Sequence, residues 1–354
     1  MRIYKKKLER FFKKMKMLIT GAAGFIGYHT VLKILSNKKN LQVVGIDSVN
    51  NYYSRELKLA RIKNLKNKFK KNFIFKKINI SDKKKIFNLF KKSKFHTVIN
   101  LAAQAGVRYS LENPDAYFKS NLKGFYNLLE ASKINKVKHL ISASSSSVYG
   151  INDFSKFSNT VATGHPIQLY AATKRSNELM GHAYSHLYKL PTTFIRLFTV
   201  YGPWGRPDMS LFLFVKNILN NKPIYVFNNG KHSRDFTYVE DIVEGINKVT
   251  KKIPKGNKKW NSKLLDQSNS IAPFKIINLG SGRKIKLMKY IKIIEKILNK
   301  KANVVFQIIQ KGDIKDTLSD LKDTKKYISY KPKIKVEEGI RRFIEWYKSY
   351  YKIK

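Results

Sequence analysis

The chain has 354 residues, 43% of them apolar and 13% aromatic, enough to bury a sizeable core and to exclude a disordered polypeptide. It carries a net charge of +49 but no cysteine, so disulfides, thiolate metal sites and a cysteine nucleophile are all excluded. No run of about 18 uninterrupted apolar residues occurs and the basic N-terminus lacks an apolar stretch, so no membrane span or secretory signal is expected, and the default location is cytoplasmic.

Residues 1–14 precede the first strand pattern and are mostly basic; they read as a frayed, disordered extension. From there the chain alternates. "KMLIT" (16–20) is followed by a helical pattern near 25–36, "QVVGID" (42–47) by one near 54–68, and "FIFKKI" (73–78) by one near 82–92. "HTVINLA" (96–102) precedes a long helix near 114–134, "KHLIS" (138–142) precedes a helix carrying Tyr170, and "TTFIRLF" (192–198) closes the series. Strands without polar alternation, separated by helices, predict a parallel sheet covered on both faces. The expected fold is therefore α/β: a Rossmann-type doubly wound domain over 15–200 and a smaller, mainly substrate-binding lobe over 201–354. Within that lobe 251–270 is polar and reads as an exposed insertion, and "VEEGIRRFIEWYKSYY" reads as a closing amphipathic helix.

"LITGAAGFIG" sets Gly21, Gly24 and Gly27 directly after the first strand and at the mouth of a helix, where backbone N–H groups and the helix dipole receive a pyrophosphate. Asp47 ends the second strand. A carboxylate there accepts from a ribose 2′-hydroxyl and repels a 2′-phosphate, which predicts NAD rather than NADP. The lysines are spread almost evenly and accompany an excess of Asn and Ile, so the charge reads as compositional bias, and nucleic acid is not expected as a partner.

The glycine spacing, with "NLAAQ" (100–104), "SSSSVYG" (144–150), "YAATK" (170–174) and "RDFTYVEDI" (234–242), resembles the extended short-chain dehydrogenase/reductase family of nucleotide-sugar enzymes. That resemblance spans roughly residues 15–350. It implies bound NAD contacted by Gly21, Gly24, Phe25, Ile26, Gly27, Asp47, Asn79, Ile80, Leu101, Ala102, Ala103, Gln104, Asn121, Tyr170 and Lys174. Asn79 stands where relatives have Asp, and its side-chain oxygen is expected to accept from the adenine amino group.

Tyr170 and Lys174 are one helical turn apart, so the ammonium is expected to favour the phenolate and make Tyr170 a base, with the Ser145 hydroxyl holding the substrate oxygen. Dehydratases of the family carry Asp-Glu after the catalytic hydroxyl, and decarboxylases carry Glu at the second of those positions. Ser146 and Ser147 stand there in this chain. Oxidation, turning over of the ketone and reduction would then give epimerisation, although a simple dehydrogenase could use the same residues.

"LAAQAGVRYSLENPDAYFKSNLKGFYNLLEASK" (101–133) and "RLFTVYGPWGRPDM" (196–209) most resemble UDP-glucuronate 4-epimerases. UDP-glucose and UDP-N-acetylglucosamine epimerases are the alternative, and a dehydratase or decarboxylase a more distant one. Thr199 with Ser144 and Ser146 is the expected cradle for the sugar carboxylate, unless Thr199 only caps a turn. Arg206 and Arg234 are expected on the UDP diphosphate, which a guanidinium fork fits well. Arg108 is left between cofactor, substrate and structural roles. The histidines show no metal spacing, so no metal site is expected. The resemblance also implies a homodimer through the helices near 114–134 and 167–189.

Overall fold

The computed structural model describes residues 15–38, 40–152 and 154–353; the basic segment 1–14 lies outside the described residues. Seven strands form one sheet in the order β10-β6-β5-β4-β1-β2-β3, every neighbouring pair parallel. The strands are β1 (Met15–Thr20), β2 (Leu41–Asp47), β3 (Phe73–Lys77), β4 (Thr97–Asn100), β5 (His139–Ser145), β6 (Thr192–Leu197) and β10 (Phe274–Leu279). Alternate side chains of a strand point to opposite faces. Ile19, Val43, Ile99, Ile141, Ile195 and Ile277 build the core on one face, while Leu18, Val44, Val98, Leu140, Phe194 and Ile276 build it on the other. Both faces are apolar, which is why the strands read as unbroken apolar runs.

Helices α1 (Phe25–Asn37), α2 (Arg55–Phe69), α3 (Lys83–Lys92), α4 (Gly124–Ile134) and α5 (Leu169–Tyr188) cover this sheet. The helix expected over 114–134 is interrupted. A turn at Pro114–Tyr117 leads into a wider π-type turn, Phe118–Lys123, before α4 begins. Such widened turns redirect side chains, and here Asn121 is turned toward the loop after β4.

Beyond β6 the chain forms the smaller lobe from β7 (Thr199–Tyr201), β8 (Ile224–Phe227), β9 (Ser233–Tyr238), β11 (Lys284–Lys286) and β12 (Val304–Gln307), with α6 (Ser210–Leu219), α7 (Val239–Val249), α8 (Leu287–Leu298) and α9 (Val336–Tyr351). The expected boundary at residue 200 does not separate the two parts cleanly. β10 returns to pair with β6, and α7 packs Val239, Ile242, Val243 and Ile246 into the core that also holds Ile19 and Ile34. Residues 251–270 are largely exposed, as expected, and are tied down where Arg175 Nη2 donates to Gln267 Oε1 at 2.9 Å. Among the described residues no helix is long and apolar enough to cross a membrane.

Candidate functional site

A cleft of about 450 Å³ opens at the carboxyl ends of the sheet strands, where a doubly wound sheet holds its ligands. The turn after β1 forms one wall. Gly21 has φ +70°, and a Cβ there would lie 2.8 Å from the backbone of Leu101 and Ala102. A Cβ on Gly27 would lie 2.0 Å from the Gly21 carbonyl oxygen, so only glycine lets the helix start close against the turn. No side chain caps the start of α1, leaving its first N–H groups directed at the cleft. This cradle fits the pyrophosphate of a dinucleotide.

Asp47 closes the same end. Its carboxylate accepts from the backbone N–H of Ala23 at 3.2 Å and of Val49 at 2.8 Å. Burial raises its pKa, opposed by the Val49 N–H and by the Lys58 ammonium. Lys58 lines the cleft and donates to the Asn50 carbonyl and side-chain oxygens at 2.7 Å. Beneath the turn lies Arg61, fully buried, donating to the carbonyls of Ala23 at 2.8 Å, Trp204 at 2.6 Å and Gly205 at 3.2 Å. One guanidinium thus joins the glycine turn to the loop that carries Arg206.

Gly24, Phe25, Ile26, Ile80, Leu101, Ala102, Ala103 and Gln104 also line the cleft. Two members of the expected cofactor set differ in detail. Asn79 lines the cleft, but its side-chain oxygen already accepts from Ser81 N–H and Oγ, both at 3.0 Å, so an adenine amino group must share it. Asn121 does not line the cleft. Its amide accepts from Gln104 N–H at 2.8 Å and donates to Gln104 O at 3.1 Å and Thr173 Oγ1 at 3.0 Å, bracing the wall from behind.

Tyr170, Lys174 and Ser145 meet in the middle of the cleft. Their electrostatics differ from the simple expectation. Burial raises the Tyr170 phenol above its ordinary value, opposed by a hydrogen bond from Ser145 and by the Arg206 charge. Lys174 Nζ donates to the Ala143 carbonyl at 2.9 Å, and burial pushes its pKa down to about 8 against the pull of Glu178. The ammonium therefore bonds to the strand end.

Ser145, Ser146, Ser147 and Thr199 also face this space. Ser144 lines the cleft as well, and its hydroxyl donates to the buried Glu178 Oε1 at 2.7 Å, so in this arrangement its proton is directed away from a sugar carboxylate. At the far end Arg206 Nε donates to Asp208 Oδ1 at 3.0 Å, and Tyr52 donates to the other oxygen at 3.1 Å. Arg234 lines the cleft with Nη1 on the carbonyls of Ser233 at 3.0 Å and Lys315 at 2.8 Å. Arg108 is exposed, 4.3 Å over the Phe227 ring and 3.5 Å from Asp313, outside the cleft lining. His29 and His139 are buried and held neutral, and among the described residues no cluster could hold a metal.

Sequence reasoning missed Lys58, Arg61, Asp208, Asp313 and Glu178. Of these, only Glu178 left a signal, standing one further turn along from Tyr170 and Lys174.

A family profile described as GDP-mannose 4,6 dehydratase matches residues 18–343. Protein CapI of Staphylococcus aureus is 47% identical over 338 residues, covering 96% of this chain and 100% of that protein. UDP-glucuronate 4-epimerase 1 of Arabidopsis thaliana is 41% identical over 347 residues, covering 95% of this chain and 77% of that protein. Among solved structures, UDP-glucuronic acid 4-epimerase from Bacillus cereus, in complex with UDP-glucuronic acid and NAD, superposes with a TM-score of 0.82 at 31% identity, covering 95% of this chain and 100% of that one.

Proposed function

We propose that this chain, which belongs to the GDP-mannose 4,6 dehydratase family and is an NAD-dependent nucleotide-sugar 4-epimerase, interconverts UDP-glucuronate and UDP-galacturonate. The observation that carries this reading is the make-up of the cleft around Tyr170. Among the described residues, the carboxylates lining it are Asp47, against the glycine turn, and Asp313, beside Arg108 and Arg234. Neither stands among the hydroxyls of Ser145, Ser146, Ser147 and Thr199. Among the described residues, no carboxyl group stands beside these hydroxyls to expel water.

In this reading Tyr170 takes the proton of the C4 hydroxyl, and Ser145 holds the oxygen as it becomes a ketone. The glycine turn and Asp47 would hold NAD, which would supply the hydride acceptor and donor for C4. Burial leaves the Tyr170 phenol above its ordinary value despite Ser145 and Arg206, and a cationic cofactor ring beside it would favour the phenolate. Arg206 and Arg234 hold the diphosphate, while the sugar swings to present its other face. Ser146 and Thr199 donate to the carboxylate. The oxidised hexuronate is a β-keto acid, and it keeps its carboxyl group only while that group is held out of alignment with the ketone, which fixed neutral hydroxyls can do.

Incubation of the purified protein with UDP-glucuronate, followed by product analysis, tests this reading. A mixture with UDP-galacturonate and no net reduction of cofactor is expected. Turnover confined to UDP-glucose or UDP-N-acetylglucosamine, or stoichiometric NADH, would overturn it.

The same reading includes a homodimer. Exposed Phe118, Tyr126 and Ile134 before and along α4, with Leu179, Leu187 and Tyr188 on α5, offer an apolar face of the kind a second copy covers. Light scattering should give twice the chain mass, and a monomer would refute it.

A further inference from the structure

The serine run is gripped from underneath at both ends. Glu178 and Arg196 form an ion pair with both side chains fully buried, Arg196 Nε and Nη2 each 2.9 Å from a Glu178 oxygen. Ser144, paired in register with Arg196 across β5 and β6, donates its hydroxyl to Glu178. Past the run, the Tyr149 ring lies 4.8 Å from the Arg196 guanidinium, and its hydroxyl donates to Asn278 at 2.7 Å. Arg175 completes the carboxylate with a 3.0 Å bond. Between the two grips, Ser145, Ser146 and Ser147 face the cleft and Val148 is buried.

From this arrangement we infer that Glu178 and Arg196 are positioning residues that clamp the serine run, and that the clamp keeps the oxidised sugar from leaving the reaction as a decarboxylated ketone. The inference rests on the epimerase reading above. A buried ion pair is poor value as stability alone, since apolar residues of similar size often serve as well. Its use lies in direction: a charge-assisted pair holds Ser144 and Tyr149 at fixed points, and with them the hydroxyls of the run. When those hydroxyls wander, the carboxylate can align with the C4 ketone. The bond from C5 to the carboxyl carbon then breaks, its electron pair enters the enolate of the ketone, C5 takes a proton from water, and carbon dioxide departs. The sugar ends as a 4-ketopentose with the cofactor left reduced.

Two variants test the two grips separately: Ser144→Ala removes one hydroxyl, and Tyr149→Leu removes the ring from Arg196. For each, amide hydrogen exchange over 145–149 is measured on the protein without substrate, well below its melting midpoint. Products from UDP-glucuronate are divided into epimer and decarboxylated ketone. Loss of one hydrogen bond in Ser144→Ala should raise both the local exchange rate and the decarboxylated share about tenfold over wild type, and Tyr149→Leu, which loses the ring contact and the bond to Asn278, should raise both at least as far. A fall in turnover with the product ratio unchanged would reduce the pair to a structural role and overturn the inference, as would unchanged exchange in both variants. If wild type makes no galacturonate isomer, the substrate reading fails on its own, and the exchange experiment still decides whether the clamp exists.

Discussion

Lys174 Nζ and the Ala143 carbonyl oxygen lie 2.9 Å apart, so the ammonium of the YxxxK pair is moored to the strand that delivers the serine run. The contact sets the distance between helix α5 and the end of β5 at the place where Tyr170 and Ser145 must cooperate. It also buries a positive charge, which burial pushes down to about 8.

A charge kept at such cost marks a site where function outweighs stability. Lys174→Met should lower turnover by roughly a hundredfold, the scale of one acid–base contribution. Its melting midpoint should stay level or rise, because the desolvation cost disappears with the charge. Calorimetric melting beside steady-state kinetics checks this; a large drop in midpoint would show that the ammonium is structural.

Asp47 sits in the cofactor wall with Lys58 beside it. Removing the carboxylate leaves a cation facing the ribose. Asp47→Ser should shift the ratio of NADPH to NADH binding toward NADPH by roughly ten- to a hundredfold, the range of one like-charge contact near a protein surface. Fluorescence titration of the two reduced cofactors reads the ratio, and an unchanged ratio would remove Asp47 from the discrimination.

Arg206 is held charged by Asp208, and Tyr52 bonds the same carboxylate. A guanidinium shaped by two bonds to a carboxylate can turn the same fork to a diphosphate, which lysine cannot. Arg206→Lys should weaken binding of UDP by about tenfold or more, as for loss of one charge-assisted bond. Titration calorimetry with UDP measures it, and equal affinity would place the diphosphate elsewhere.

His29 is buried, its Nε2 2.8 Å from the Pro203 carbonyl, and burial lowers its pKa to about 4. Its folded value lies below the unfolded one, so its share of stability is complete above about pH 6.5 and is lost as the pH falls toward 4. That share is about 3 kcal/mol. The urea midpoint should fall between pH 7 and pH 4.5, and His29→Gln, which keeps a donor for Pro203, should show a shallower fall. His139, pushed down to about 3 by burial, adds a second loss over the same window. Parallel curves for wild type and variant would disprove the assignment.

Local chemistry was legible in the sequence. Apolar runs gave away the parallel strands, and the glycine turn, Asp47, Ser145, Tyr170 and Lys174 line one cleft because each depends on spacing within a single element or turn. What stayed hidden depends on partners far along the chain. Ser144 reads like any other serine of its run until Glu178 is seen beneath it, and Asn79 reads as an acceptor until Ser81 is seen occupying it. Helix α2 is charged almost all round, so nothing in its pattern marks Lys58 and Arg61 as the residues turned inward. The break before α4 is similar: a π-type turn leaves helical periodicity nearly intact while moving Asn121 behind the wall.

The return of β10 to the edge of β6 bears on how such an enzyme can be re-engineered. A chimera that exchanged everything after residue 200 would import a foreign seventh strand along with the new sugar-binding lobe, and Arg61 would face unfamiliar carbonyls at the Trp204 and Gly205 positions. Grafting a new specificity therefore calls for three splice points, with the α7 and β10 segments left to their native host, because β8 and β9 before them pair with β12 and β11 after them. The transplant is two pieces that must travel together around a retained strand.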